Sequence, residues 1–186
     1  TRIYIPFSDY AFDIGGWIIP LCTLAFIATV NGVNLTDGLD GLAASVSFWY
    51  FASFSLLIFL LSNGRTGLSD LSLILCGVLA GYLIFNTNKA SVFMGDTGSL
   101  SLGGFAAAIG VFSGNALYIV IVGIMFVISS ISVIMQVIYY KRTKKRIFLM
   151  APLHHHFQKK GYSEGKIAYV YSLITAAAGL LCACFV

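Results

Sequence analysis

Long apolar runs, interrupted at short intervals by glycine, asparagine, aspartate or charge, constrain this chain more than any other feature. Six can be marked, at Trp17–Val33, Leu42–Ser62, Leu71–Asn86, Leu100–Phe112, Ala116–Tyr140 and Ile167–Val186. A helix that crosses the hydrocarbon core needs about 17–25 mostly apolar residues, a length the second, fifth and sixth runs meet outright. The third and fourth are short unless their helices extend into the polar flanks. The fifth, at about 1.5 Å per residue, should outrun the hydrocarbon or tilt. Only 10% of the 186 residues are charged and 59% are hydrophobic, whereas a soluble domain is about one-quarter charged. The expected fold is therefore an all-α integral membrane protein, a polytopic bundle of six transmembrane helices forming one domain over residues 1–186.

Six spans separate two sets of loops. Residues 34–41, 87–98 and 141–166 fall on one side; residues 1–16, 63–70 and 113–115 fall on the other. Nine of the eleven Lys/Arg lie in the first set, and only Arg2 and Arg65 in the second. The positive-inside rule makes the first set cytoplasmic. The aromatic segment Ile3–Ile14, with Tyr4, Phe7, Tyr10 and Phe12, reads either as a hairpin or as an interfacial belt. Cys22, Cys76, Cys182 and Cys184 all sit in apolar runs, where cysteine acts as a small packing residue. The chain begins at Thr1 without a signal peptide before Trp17, which reads as part of a longer protein.

Every unusual polar cluster falls on the cytoplasmic side. The first is Asn31-Gly-Val-Asn34-Leu-Thr36-Asp37-Gly38-Leu39-Asp40-Gly41. On a helical turn Asp37 and Asp40 would point within about 60° of each other. Such groups at a membrane helix end are costly unless they line a wet cavity; the alternative is a solvated loop with Asn34 or Thr36 as an N-cap. The second cluster runs from Asn86 to Ser99 and holds Phe93, Gly95 and Asp96. A helix start there would offer free N–H groups to phosphate, and Asp96 could hold Mg²⁺ against that phosphate. Phe93 could stack on a nucleobase and Asn86 could bond its edge. Alternatively, Asp96 caps the helix and Phe93 anchors at the interface.

The third cluster combines the basic run Lys141–Arg146 with Ala151-Pro-Leu-His154-His155-His156-Phe157. The basic run suits topology or attraction to anionic lipid. Three consecutive histidines would be about 100° apart on a helix and cannot easily share one metal; at least one is expected to face a phosphate as donor. The triplet is followed by a further helix, so it is not a purification tag. Gln136, a lone amide near the cytoplasmic end of the fifth run, reads as interhelical glue or as a substrate contact.

With these residues in view, the chain resembles the phospho-N-acetylmuramoyl-pentapeptide transferase family, within the polyprenyl-phosphate N-acetylhexosamine-1-phosphate transferase superfamily. The stretches that carry the resemblance are Asn34-Leu-Thr-Asp-Gly-Leu-Asp-Gly-Leu42, Val92-Phe-Met-Gly-Asp-Thr-Gly-Ser-Leu100 and Ala151-Pro-Leu-His-His-His-Phe157. The resemblance implies a Mg²⁺-dependent enzyme of the bacterial inner membrane with its active site on the cytoplasmic face. Its substrates would be UDP-N-acetylmuramoyl-pentapeptide and undecaprenyl phosphate, and its products lipid I and UMP. By motif, Asp96 would ligate the metal. Asn34, Asp37 and Asp40 would sit in the donor site, with Gly38, Leu39, Asn86, Phe93 and Gly95 around the uridine and phosphates. His154, His155, His156 and Ala151 would lie toward the pyrophosphate or the sugar-peptide portion.

The family has ten transmembrane helices, so this chain would hold the last six, with a periplasmic C-terminus. A homodimer embedded in membrane lipid and sensitivity to nucleoside inhibitors are also implied, and no nucleic-acid partner is expected. One departure stands out: the family's adjacent aspartate pair, placed on an earlier loop, has no counterpart here, since no Asp-Asp occurs in the chain. Two other readings compete. A related transferase would use UDP-N-acetylglucosamine. A secondary transporter for an anionic solute would need polar groups near the bilayer midplane, whereas those of this chain lie at one interface.

Overall fold

The computed structural model describes residues 1–8, 10–62, 64–87 and 89–186. It is an all-α membrane bundle whose helices are α1 (Ile18–Thr36), α2 (Leu42–Leu61), α3 (Gly67–Asn86), α4 (Gly95–Phe112), α5 (Tyr118–Val122), α6 (Ile124–Thr143), α7 (Leu153–Lys159) and α8 (Glu164–Cys184). Five segments are long and apolar enough to cross a membrane: Gly15–Thr36, which adds a 3-10 turn to α1, and α2, α3, α6 and α8. In lipid every backbone N–H and C=O must be satisfied within the segment, which is why these runs close into helices. Serines and threonines within them do the same for their hydroxyls: Thr23 donates to the Ile19 carbonyl and Thr175 to that of Tyr171.

The helix starts reach further into polar sequence than the apolar runs alone. α3 begins at Gly67, four residues before the apolar run, because Thr66 and Ser69 form a reciprocal capping box that satisfies N–H groups free at a helix start. α4 begins at Gly95 and so takes Asp96 into its first turn. It is the long helix that falls short of the apolarity of a span, and its packing explains why. A Cβ on Gly103 would lie 2.5 Å from the Cα of Val30 on α1, so the two backbones touch. Small residues at a helix contact permit such an approach and lower the helix's mean apolarity.

The fifth run, expected as one long helix, is divided in two. Gly123 ends α5 and precedes α6, and a Cβ there would lie 2.5 Å from the carbonyl oxygen of Ile119 and 3.4 Å from the Tyr50 ring. The chain thus bends where a side chain would not fit, and glycine is a usual site of such a break.

α2 is the central helix. It packs most extensively on α3 and α8, while α1 packs on α4 and α6. Tyr50, Phe51, Phe54 and Leu57 of α2 are fully buried, and the Tyr50 hydroxyl donates to the Ala106 carbonyl of α4 at 3.0 Å. On α8, Gly179 lies so close to Ser53 that no side chain could stand there.

Of the two readings of the aromatic N-terminal segment, the structure shows the hairpin. Strands β1 (Arg2–Tyr4) and β2 (Ala11–Asp13) pair antiparallel with Ile3 opposite Phe12. The Tyr4 amide donates to Gly114 in the α4–α5 turn at 3.5 Å, and the Phe7 ring meets Phe185 after α8 edge-on at 5.8 Å. The hairpin, the α4–α5 turn and the C-terminal end of α8 therefore share one face of the bundle. The three motif segments occupy the other.

Candidate active site at one face of the bundle

The site begins where α1 ends. Asn34 occupies the last turn of α1 and is not an N-cap. Its side-chain amide donates to Asp96 Oδ1 at 3.1 Å and to Ser99 Oγ at 2.9 Å, both on α4. Two of the three motifs are thus joined by side chains 62 residues apart in sequence. Asp37 follows as the residue that closes α1, with its amide on the carbonyls of Val33 and Asn34.

Residues 37–41 form a tight turn rather than a helical one, so the expected common direction of Asp37 and Asp40 is not what the backbone delivers. The Asp40 carboxylate turns to the second motif, where Oδ2 accepts from the Ala90 amide at 2.9 Å. Gly41 closes the turn at φ +72°, a conformation that favours glycine, and its amide donates to Asn86 Oδ1 at 3.1 Å. Asn86 in turn donates to the Val92 carbonyl at 2.7 Å and is only 6% exposed. Its amide is engaged at both ends in holding two loops together, not free to read a base edge. Leu39, placed beside the uridine by the resemblance, is 7% exposed and packs in the hydrophobic core, so its side chain contributes packing.

Phe93, by contrast, is 71% exposed, and its ring is free to stack. Gly95 at φ +56° turns the chain into α4. The capping position there is Met94, which makes no side-chain bond to the helix, so Asp96 does not serve as the cap. It is an exposed carboxylate beside the free N–H groups of an 18-residue helix. The Asp37 carboxyl is held above the ordinary carboxylate range, first by burial and second by the negative charge of Asp96. The charge of Asp96 thus adds to the cost of ionising Asp37, and a cation between the two carboxylates would relieve that cost. Among the described residues no group of three or more His, Cys, Asp or Glu forms a metal cage. Mg²⁺ needs none, since it is commonly held by one or two carboxylates together with substrate phosphates and water. The donor set fits that ion.

The three histidines have three different environments. His154 is fully buried, and neither ring nitrogen has a hydrogen-bond partner among the described residues. Burial, and then the neighbouring His155, push it down to a pKa of about 3, so it is neutral at pH 7. His155 bonds through Nδ1 to Gln158 Oε1 at 3.0 Å. His156 accepts the Leu149 amide on Nδ1 at 3.1 Å and packs its ring edge-on to Phe148, a brace for the preceding loop. The first two rings rest against the 37–41 turn. A Cβ on Gly38 would lie 2.5 Å from His154 Nε2 and 2.8 Å from His155 Nε2. Gly38 is thus the point where the first and third motifs meet.

Gln136 proves to be a loop brace. Its Oε1 accepts from the amides of Ile147 and Phe148 at 3.1 and 3.0 Å, and its Nε2 donates to the Phe148 carbonyl. Beside it opens a cavity of about 690 Å³ lined by Lys141, Lys144, Arg146, Met150 and Ala151. Sequence reasoning overlooked Gln158 and Glu164. Gln158 Nε2 donates to Glu164 Oε1 at 2.9 Å, and Glu164 Oε2 accepts from the Asp40 amide at 3.1 Å. The only available signal was a glutamate in the first turn of a helix, a placement that the helix dipole alone accounts for.

The sequence profile of glycosyl transferase family 4 matches residues 1–114. A phospho-N-acetylmuramoyl-pentapeptide-transferase of Clostridium botulinum is 45% identical over 175 residues, covering 94% of this chain and 53% of that protein. Proteins of the same name from Caldanaerobacter subterraneus and Helicobacter pylori are 43% and 42% identical, covering 96% and 97% of this chain and 56% of each relative. The chain thus spans about half the length of the curated relatives it matches.

Proposed function

The chain belongs to glycosyl transferase family 4, and on that premise we propose that it forms the donor-binding half of a phospho-N-acetylmuramoyl-pentapeptide transferase. The reaction is transfer of a phosphoryl-linked muramoyl-pentapeptide from its UDP carrier to a polyprenyl phosphate, undecaprenyl phosphate in bacteria, at the cytoplasmic face of the inner membrane. The observation that carries this reading is the convergence of three motifs on one face. Asn34 reaches Asp96, Asn86 ties Gly41 to Val92, and His154 and His155 lie on Gly38. The names and identities of the relatives support the substrate pair.

In this reading an oxygen of the lipid phosphate forms a bond to the β-phosphorus of the donor as the bond from that phosphorus to the bridging oxygen breaks. UMP leaves with the electron pair. Such transfer depends on positioning and on neutralising charge rather than on a covalent partner. Mg²⁺, held by Asp96 with Asp37 beside it, would supply Lewis-acid neutralisation of the pyrophosphate. Phe93 offers an exposed ring for the uracil, and the N–H groups at the start of α4 offer donors for phosphate oxygens. His155 presents Nε2 beside Gly38, and Asn34 orients the Asp96 carboxylate. A phosphate monoester is already ionised at neutral pH, so direct displacement asks no strong base of these residues.

The deciding experiment uses the full-length protein in membranes with UDP-N-acetylmuramoyl-pentapeptide and undecaprenyl phosphate. Asp96→Ala is expected to abolish Mg²⁺-supported UMP release; turnover near the unmodified rate would remove Asp96 from the metal site. Competition with UDP-N-acetylglucosamine tests the donor, and preferential turnover of that sugar would assign the protein to the related transferases.

A further inference from the structure

His155 is held at Nδ1 through two intermediaries that end on a carboxylate. The order runs from Glu164 through Gln158 to His155, with the Asp40 amide on the far oxygen of Glu164. Each step has a chemical direction. A carboxylate has only acceptor atoms, so Glu164 Oε1 must face the –NH₂ group of Gln158. That choice leaves the Gln158 carbonyl oxygen toward His155. A carbonyl oxygen only accepts, so the imidazole nitrogen it faces, Nδ1, must carry the proton. In the neutral ring the lone pair then lies on Nε2, the nitrogen beside Gly38.

We infer that Glu164 and Gln158 are positioning residues that select the Nδ1–H tautomer of His155 and thereby present an unprotonated Nε2 to the donor site. The functional part of this inference rests on the reading of that face as the donor site; the tautomer itself does not. Three features of the fold make the relay specific. Gln158 follows His155 by three residues on α7, so the two side chains share a face. Glu164 stands in the first turn of α8, where a carboxylate is stabilised by the helix dipole. Its second oxygen is engaged by the 37–41 turn, so the same carboxylate that orients the imidazole also holds the turn on which that imidazole rests.

The test begins with the unmodified full-length protein, labelled with ¹⁵N-histidine, with the His155 signals identified by their loss in His155→Gln. A pyrrole-type Nδ1 and a pyridine-type Nε2 are expected at neutral pH; the reverse assignment overturns the inference. Glu164→Gln then gives a second prediction. One atom of the new side chain must accept from the Asp40 amide, which leaves its –NH₂ group toward Gln158. The Gln158 amide must turn over, and its –NH₂ then faces His155 and drives the proton to Nε2.

Combining Glu164→Gln with Gln158→Glu restores the original direction, because the carboxylate at 158 accepts from both neighbours. The single variant should raise the KM for UDP-N-acetylmuramoyl-pentapeptide by about tenfold, the order of one hydrogen bond lost between Nε2 and the donor, and the double variant should recover most of it. A merely structural Glu164 would not produce a tautomer reversal that the swapped pair corrects. Retention of Nδ1–H in Glu164→Gln, or of Nε2–H in the swapped pair, would sink the relay. If instead the unmodified protein transfers no muramoyl-pentapeptide, the proposed function fails, while the ¹⁵N spectra still decide the tautomer.

Discussion

A half-buried carboxylate beside a second carboxylate is a costly arrangement, and Asp37 is held in one. Its raised pKa means that the folded protein binds this proton more tightly than the unfolded chain does. Stability from this group therefore falls as pH rises from the unfolded value near 3.9 through the raised folded value, and the cost is full above it. A divalent cation should cancel that cost. At neutral pH without divalent cations, Asp37→Asn is expected to raise the melting temperature, and Mg²⁺ should raise that of the unmodified protein more than that of the variant. Equal Mg²⁺-induced shifts in the two proteins would count against a cation at this pair. Phe93→Ala makes the complementary case for the nucleotide. Loss of one stacked base contact costs about 1–3 kcal/mol, to be read as weaker binding of uridine nucleotides by calorimetry; unchanged affinity would remove the stacking role. Asp96 and Phe93 stood out as candidates in the sequence because they are polar or aromatic groups at the edge of an apolar run. The roles of Asn86 and Gln136 were not, since an amide that reads a base and an amide that staples two loops look alike until its partners are known.

At the scale of elements, the contact between α1 and α4 sets the geometry of the site, because Asn34 and Asp96 are brought together by it. The contact depends on backbone approach at Gly103, where a Cβ would meet Val30, whereas a Cβ on the adjacent Gly104 would meet nothing within 4 Å. Gly103→Val is therefore expected to lower the melting temperature and to disable metal-dependent turnover. Gly104→Val should leave both nearly unchanged, and equal effects of the two substitutions would show that the helix contact lies elsewhere. Apolar runs located the six long helices of the described residues, α1–α4, α6 and α8, to within a few residues at most of their ends, since hydrocarbon selects for length and hydropathy. They missed the break at Gly123 and the starts of α3 and α4. Those are decided by a clash with Ile119, a capping box and a left-handed glycine, none of which changes hydropathy.

For the whole molecule, the arrangement of faces follows from parity: with α4 counted and α5 taken together with α6, an odd number of helical passages through the bundle lies between the N-terminal hairpin and each motif segment. In the full-length protein, a cysteine at Ser91 or Ser163 is expected to react with an impermeant thiol reagent from the cytoplasm, and one at Ser8 only from outside. Labelling in the opposite sense would invert the topology. The sequence by itself determined that the chain is a helical membrane bundle and that Asp37, Asp40, Asp96, Phe93 and the three histidines gather at one interface. It could do so because burial in lipid is a one-dimensional property, read from hydropathy and charge along the chain. Only the tertiary structure decided what each polar group does there. It separated Asp37, which faces the influence of Asp96, from Asp40, which holds the neighbouring loop, and it divided the histidine triplet into a neutral buried ring, an oriented ring and a brace. The assignment of Asp40 depends on hydrogen bonds to residues dozens of positions away, Ala90 and Glu164. Such partners are chosen by packing in three dimensions, and no local pattern encodes them.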